Sequence, residues 1–315
     1  MYKNKYLHII TIVLVLYGLS NYNLNAQQLP HFRNPFFNLY VQNPATIAVS
    51  DVPDIMLEHR SQWIGFSGKP QISTLAGKYL FRDDMGAGAY LMSDNYGLTQ
   101  KLDFSLNYAY ILKTEQFNLS FGLAWTLTQY KLKGTEISIY DPNDQIINQN
   151  IDDKTWKPDA NAGLFIYNKD FYAGFSVLQL FKTKYTFFQS TNDIPGLIRD
   201  HRHFVISGAY NINSEQNIHK FSPFTNLYLV SSTPFKFDLG INYTHNSALL
   251  SSLFLSKSDA LVFSIGYKYD RFYLSYSFDF VLTRIRTVSS GAHEICIGIY
   301  LSQKQSSTKD SSPMF

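Results

Sequence analysis

The sequence predicts an all-β fold, a transmembrane antiparallel β-barrel of about 14 strands. Three observations point to it. Apolar and polar residues alternate with period two through most of the chain, in stretches near the ~10 residues that a tilted strand needs to cross a bilayer. Aromatic residues are abundant, mostly Tyr and Phe, and these favour strands and membrane interfaces. Mean hydropathy is near neutral, as expected when polar bore residues offset lipid-facing ones, and unlike a helical membrane protein.

The elements follow in order. Residues 1–26 read as a secretory signal peptide. Lys3 and Lys5 open it, "IITIVLVLYGL" is its apolar core, and "LNA" precedes a cleavage point after Ala26. Residues 27–53 do not alternate; rich in Asn, Pro and aromatics, they are expected to form a periplasmic N-terminal arm, either extended or tucked into the bore. The barrel should span 54–302, with strands near 54–63, 71–81, 85–94, 99–112, 117–130, 160–168, 170–181, 202–212, 219–230, 235–244, 248–257, 260–269, 271–282 and 292–302. The pattern is plain in "FNLSFGLAWTLTQY" at 117–130. Phe121, Leu123 and Trp125 share one face, and Ser120, Gly122, Ala124 and Thr126 the other. Residues 303–315 are polar and Ser-rich and are expected to form a flexible tail.

Connection lengths suggest an orientation. The links near 82–84, 113–116, 168–170, 211–217, 244–247 and 269–271 are brief and polar, as periplasmic turns are. The longer ones, 64–70, 131–159, 182–201 and 283–291, fall at the other end; the short links at 231–234 and 257–259 depart from this sorting. A soluble sandwich hides one face of each sheet and has no need of long aromatic faces on nearly every strand. A barrel also accounts for Asn107, Asn118, Asp238, Asn242, Lys268 and Asp279 on the polar faces.

The formal charge is +3. Without the leader 25 basic residues face 24 acidic ones, a balance that gives no reason to expect a nucleic-acid partner. A single cysteine, Cys296, rules out an intrachain disulfide and a multi-cysteine zinc site.

Several motifs sit on this frame: "NPA" at 43–45, "HRSQWIGFSGKP" at 59–70, "PDANAGLFIYNKDFYAGFSV" at 158–177, "RHFVISGAYNI" at 202–212, "SYSFD" at 275–279 and "SGAHEICIGIYL" at 290–301. In this order they resemble the PorP/SprF family of Bacteroidetes outer-membrane proteins, across nearly all of the chain beyond the leader. Departures from the family pattern are Thr46-Ile47-Ala48 after "NPA", Phe278 within "YSFD" and Ala292 within "GAHEI". The resemblance implies a place in type IX secretion in the cell outer membrane. The implied partners are subunits of the secretion apparatus and secreted cargo with a C-terminal sorting domain, such as a gliding adhesin. It also singles out Asn43, Pro44, Arg60, Gln62, Trp63, Asp279, His293 and Glu294 as partner-binding or motif residues.

From the residues themselves, Arg60 and Gln62 are expected to face the bore, with Trp63 at an interfacial girdle. His293 and Glu294 are expected either in a polar knot near the barrel rim, with Arg284 or Arg286, or as a plain surface pair. His201 and His203 share a strand face, but Arg199 and Arg202 flank them and further metal ligands are not evident. The acids of 134–159 lack the spacing of an EF-hand loop. No phosphate loop or nucleophile elbow is present. The expected protein is therefore non-catalytic and free of cofactors, an anchor or adaptor in secretion. The alternative is a transporter or channel for hydrophobic or other small molecules.

Overall fold

A computed structural model describes residues 32–50, 52–133, 152–187, 196–214, 218–231, 234–257 and 259–301. The leader expected at 1–26 and the tail at 303–315 lie outside the described residues. The strands, in chain order, are β1 (Asp54–Ser61), β2 (Gln71–Arg82), β3 (Met85–Tyr96), β4 (Thr99–Lys113), β5 (Asn118–Leu132), β6 (Asp153–Tyr167), β7 (Phe171–Leu178), β8 (Lys184–Phe187), β9 (Gly196–Arg199), β10 (His203–Tyr210), β11 (Ile212–Asn213), β12 (His219–Val230), β13 (Lys236–His245), β14 (Leu249–Ser256), β15 (Ala260–Tyr269), β16 (Phe272–Val281) and β17 (Ala292–Tyr300).

All but β8 and β9 belong to one antiparallel sheet, in which the two-residue β11 only extends a turn beside β12. The other fourteen close on themselves: β1 pairs with β17, and β10 reaches past β11 to pair with β12. Among the described residues closure gives each of these fourteen strands a partner on both sides, which matters in lipid, where an unsatisfied backbone group costs several kcal/mol.

Side chains sort by the expected alternation. On β5, Phe121, Leu123 and Trp125 are exposed on the outer wall, while Ser120, Ala124, Thr126, Thr128 and Tyr130 are buried toward the bore. On β1, Ile55 and Leu57 point out, and Asp54, Met56, Glu58 and Arg60 point in. The expected strand ends hold to within three residues except at β6. There the strand starts at Asp153, so the last seven residues of the connection expected at 131–159 are strand, and 134–151 lie outside the described residues. Pro158 is tolerated because β7 pairs with β6 only from Ala162 onward, which leaves Pro158 a barrel partner, Leu127, on one side alone. The connection expected at 182–201 holds the separate hairpin β8–β9. Its Tyr185 and Phe187 are buried with Tyr130 at the long-loop end of the barrel.

The bore is a packed interior. Met56, Ile72, Ala76, Leu250, Tyr273 and Cys296 of the wall form a hydrophobic core with Phe36, Phe37, Tyr40, Ile47 and Ala48, which precede the first strand. The polar bore of a simple porin is here built around an apolar layer.

The outer wall gives a direct test. Leu253 sits mid-strand on β14, facing out. Leu253→Arg is expected to lower stability by about 2–4 kcal/mol, as for a cation on a barrel's lipid face near the midplane. Its bore-facing neighbour Ser252→Ala should leave stability within about 0.5 kcal/mol. Denaturant unfolding in lipid vesicles measures both.

Candidate functional site

Residues 32–50 run through the bore, and the wall is cut to fit them. The segment turns at Asn38, which adopts a left-handed backbone (φ 63°), a conformation that Asn tolerates better than most side chains. A single α-helical turn, Leu39–Gln42, follows, and then a 3₁₀ turn, Pro44–Thr46. Asn43 caps that second turn by accepting from Ala45 N at 3.0 Å, and its amide donates to Leu164 O on the wall at 3.1 Å. Pro44 suits the first position of the turn, where its missing N–H costs nothing. Ser120 Oγ donates to Ala45 O at 2.6 Å, and Ser176 Oγ to Gln42 O at 2.7 Å. Two wall glycines make the fit possible. A Cβ at Gly122 would overlap the Ala45 backbone, and one at Gly163 would overlap the Asn43 amide.

Nearer the long-loop end, a second grip is ionic. The carboxylate of Glu294 accepts from Arg33 N at 3.0 and 2.9 Å and from Asn34 N at 2.6 Å. The Arg33 guanidinium donates from Nε to Asp279 at 3.1 Å and from Nη1 to Ser256 Oγ at 2.9 Å, and it also bonds Asp259. Asp238 lies 3.7 Å from it. Arg60 braces the acids, with Nη2 2.7 Å from Asp279 and Nη1 3.5 Å from Glu294. Lys236 holds Asp259 at 2.9 Å. Arg33, Arg60, Asp279 and Glu294 are all almost fully buried. Asp259 lies in the turn between β14 and β15. Burial alone would raise its pKa, but Arg33 and Lys236 outweigh that and hold it near about 2.

Strand register explains the assembly. Arg60 faces Glu294 across β1 and β17, Glu294 faces Ser277 across β17 and β16, and Asp279 is two residues further on the same face. Asp238 faces Ser256 across β13 and β14. Three of the eight singled-out residues, Arg60, Asp279 and Glu294, thus converge on Arg33, while Asn43 and Pro44 build the turn lower in the bore. The other three lie elsewhere. Gln62 follows the end of β1, its N–H bonded to Pro70 O, and Trp63 opens the next loop with a positive φ of 55°. His293 faces outward, Nδ1 2.6 Å from Tyr276 Oη, on the opposite face from Glu294. The expected knot with Arg284 or Arg286 does not form, because both arginines are exposed in a 3₁₀ turn, Arg284–Thr287. Arg33 escaped the sequence reading. It is nonetheless the only Lys, Arg, Asp or Glu between residues 27 and 50.

Closed barrel and internal segment define an outer-membrane β-barrel with an occupied bore. A family model described as "Type IX secretion system membrane protein PorP/SprF" matches residues 24–299, and the chain belongs to that family. It is an outer-membrane component of type IX secretion. No curated protein matches the sequence. Among solved structures, the chain is similar to a FadL homologue of Pseudomonas aeruginosa, with a TM-score of 0.50 at 9% identity over 84% of this chain and 94% of that one. It is similar also to the toluene transporter TodX of P. putida, with a TM-score of 0.52 at 9% identity over the same shares. At such identity the likeness is one of fold.

Two predictions follow from the grip. Arg33→Met leaves four acids facing only Arg60 and Lys236; removing one partner of a buried ion network costs about 3–5 kcal/mol. The expected result is faster hydrogen exchange over residues 32–50, with the strand amides unchanged. The pH dependence runs the other way from a histidine switch. The folded pKa of Asp259 is depressed, so its stabilising contribution is complete above the unfolded value, near about 4, and is lost as pH falls toward about 2. In Asp259→Asn the protection of residues 32–50 should lose that share of its acid dependence, as exchange between pH 6 and 2.5 would reveal.

Proposed function

We propose that this barrel serves type IX secretion as a closed, non-catalytic anchor that presents its two rims to protein partners. One observation carries the reading: residues 32–50 occupy the bore and are held there by the Arg33 network. The three cavities that this segment lines measure about 40–80 Å³. Each has room for a few waters, well short of the roughly 300–1,000 Å³ of a typical small-molecule pocket. The interior thus works as a core that stiffens the wall.

On this reading the short-turn rim faces the periplasm and meets subunits of the secretion apparatus. The long-loop rim, with Gln62, Trp63 and the β8–β9 hairpin, faces outward and meets cargo bearing a C-terminal sorting domain. Asn43, Pro44, Arg60, Asp279 and Glu294 act on partners indirectly, by holding the internal segment in place. The aromatic outer wall fixes the whole in lipid.

The test is affinity purification of the tagged protein from detergent-solubilised membranes, with mass spectrometry of the co-purifying chains, alongside a deletion strain. Secretion subunits or sorting-domain proteins should co-purify, and the deletion should impair export or surface attachment of cargo. Normal secretion in the deletion strain, together with loss of uptake of a small molecule, would overturn the anchor reading in favour of a transporter.

A further inference from the structure

The first residue of β12 and the last of β13 are both histidines, and they are register partners, His219 with His245. Asn246 N donates to Ile218 O at 2.8 Å, so the neighbouring 218/246 pair is the hydrogen-bonded one. His219 and His245 therefore occupy the non-hydrogen-bonded position of the ladder, where facing side chains approach most closely. Their Nδ1 atoms are 3.5 Å apart, with ring centroids separated by 5.0 Å. Tyr243 places its hydroxyl 2.9 Å from His219 Nδ1. The cluster sits at the short-turn rim on the outer face beside Phe221, with His219 exposed and Tyr243 and His245 half-buried.

Two ring nitrogens at this separation can be bridged by one metal ion. Metal–nitrogen bonds of about 2.0–2.1 Å would span the 3.5 Å gap at an angle of roughly 115°, close to tetrahedral. Imidazole is a favoured ligand of copper and zinc. The Asn246 side-chain amide lies 3.3 Å from His245 Nε2. The atom nearest the ring is Nδ2; with the amide turned over, its oxygen would accept the Nε2–H and leave the Nδ1 lone pair free, as the outer hydrogen bond of a ligand histidine does.

We propose that His219 and His245, with the Tyr243 hydroxyl alongside, bind one divalent transition-metal ion, Cu²⁺ or Zn²⁺, at the short-turn rim. The ion would tie β12 to β13 beside the point where β11 folds back on β12. Positions not taken by the protein remain for water or for a donor side chain of a neighbouring protein. The inference is independent of the proposed role in secretion.

Cu²⁺ titration of the purified full-length barrel in detergent, followed by calorimetry and electron paramagnetic resonance, tests it. One Cu²⁺ per barrel is expected, with coupling to two imidazole nitrogens. His219→Ala and His245→Ala should each weaken binding at least tenfold and reduce the coupled nitrogens to one. Tyr243→Phe should weaken it a few-fold, and His59→Ala should leave it unchanged. Heat-modifiable gel migration checks that each variant is folded, and His219→Gln and His245→Gln replace any that is not. Absence of binding up to millimolar Cu²⁺, or binding that both histidine substitutions leave intact, would overturn the proposal.

Discussion

A guanidinium taken into the middle of a membrane barrel has to be met by acids, and most of this molecule's interior follows from how Arg33 is met. Desolvating one cation costs several kcal/mol unless partners and hydrogen bonds replace the lost water. Here the replacements come from far apart in the chain: Asp238 on β13, Ser256 on β14, Asp259 in the next turn, Asp279 on β16 and Glu294 on β17. Such a set exists only when those strands are in register, so the ionic grip depends on the barrel's closure. Arg60 and Lys236 share the acids with Arg33 and keep the cluster from carrying a large excess of negative charge.

The same dependence joins the ionic end to the apolar layer. Asn34, next to Arg33, donates to Ser275 Oγ at 2.8 Å and accepts from Phe36 N at 3.0 Å. Three residues on, Phe37 stacks on Tyr273 with centroids 4.2 Å apart, and Tyr273 Oη donates to Asp54 at the start of β1 at 3.1 Å. The chain thus descends from an ion cluster, through an aromatic layer, to a capped turn seated on wall glycines. Each contact type is used where its surroundings suit it: charge where acids converge, aromatic area where the wall is apolar, and backbone capping where only a glycine wall admits a turn.

Much of the wall was legible in the sequence because a two-residue period is a local signal. β5, β15 and β16 could be drawn from their own residues alone, since lipid imposes the same rule on every outward position. What was not local was harder to read. Pro158 argues against a strand until it is known that β7 stops short of it. The four-residue β8 and β9 are too brief for a period to show. Residues 32–50 have no period at all, so their place in the bore is written in their partners. The glycines at 122 and 163 and the inward acids at 238, 279 and 294 are odd for a plain wall, and natural once a chain lies against them. Arg60, Asp279 and Glu294 were found through a family resemblance; their common purpose needed Arg33, which lies outside those motifs. His219 and His245 show the limit most clearly, because only the β12–β13 register brings them together.

An occupied bore also changes what kind of change this barrel can undergo. A porin modulates flow by moving a loop across an open channel. Here, displacing residues 32–50 would strip partners from Glu294, Asp279 and Asp259 and at the same time expose the apolar layer around Met56, Leu250 and Tyr273. The costs fall together, because the ion cluster and the apolar layer are gripped by one continuous segment. Partial withdrawal therefore gains little, and the segment tends to be wholly in or wholly out. A partner able to draw it out would have to offer Arg33 comparable acids and Phe36, Phe37 and Tyr40 comparable apolar cover. That requirement favours rim contacts over the bore as the working surface of the protein.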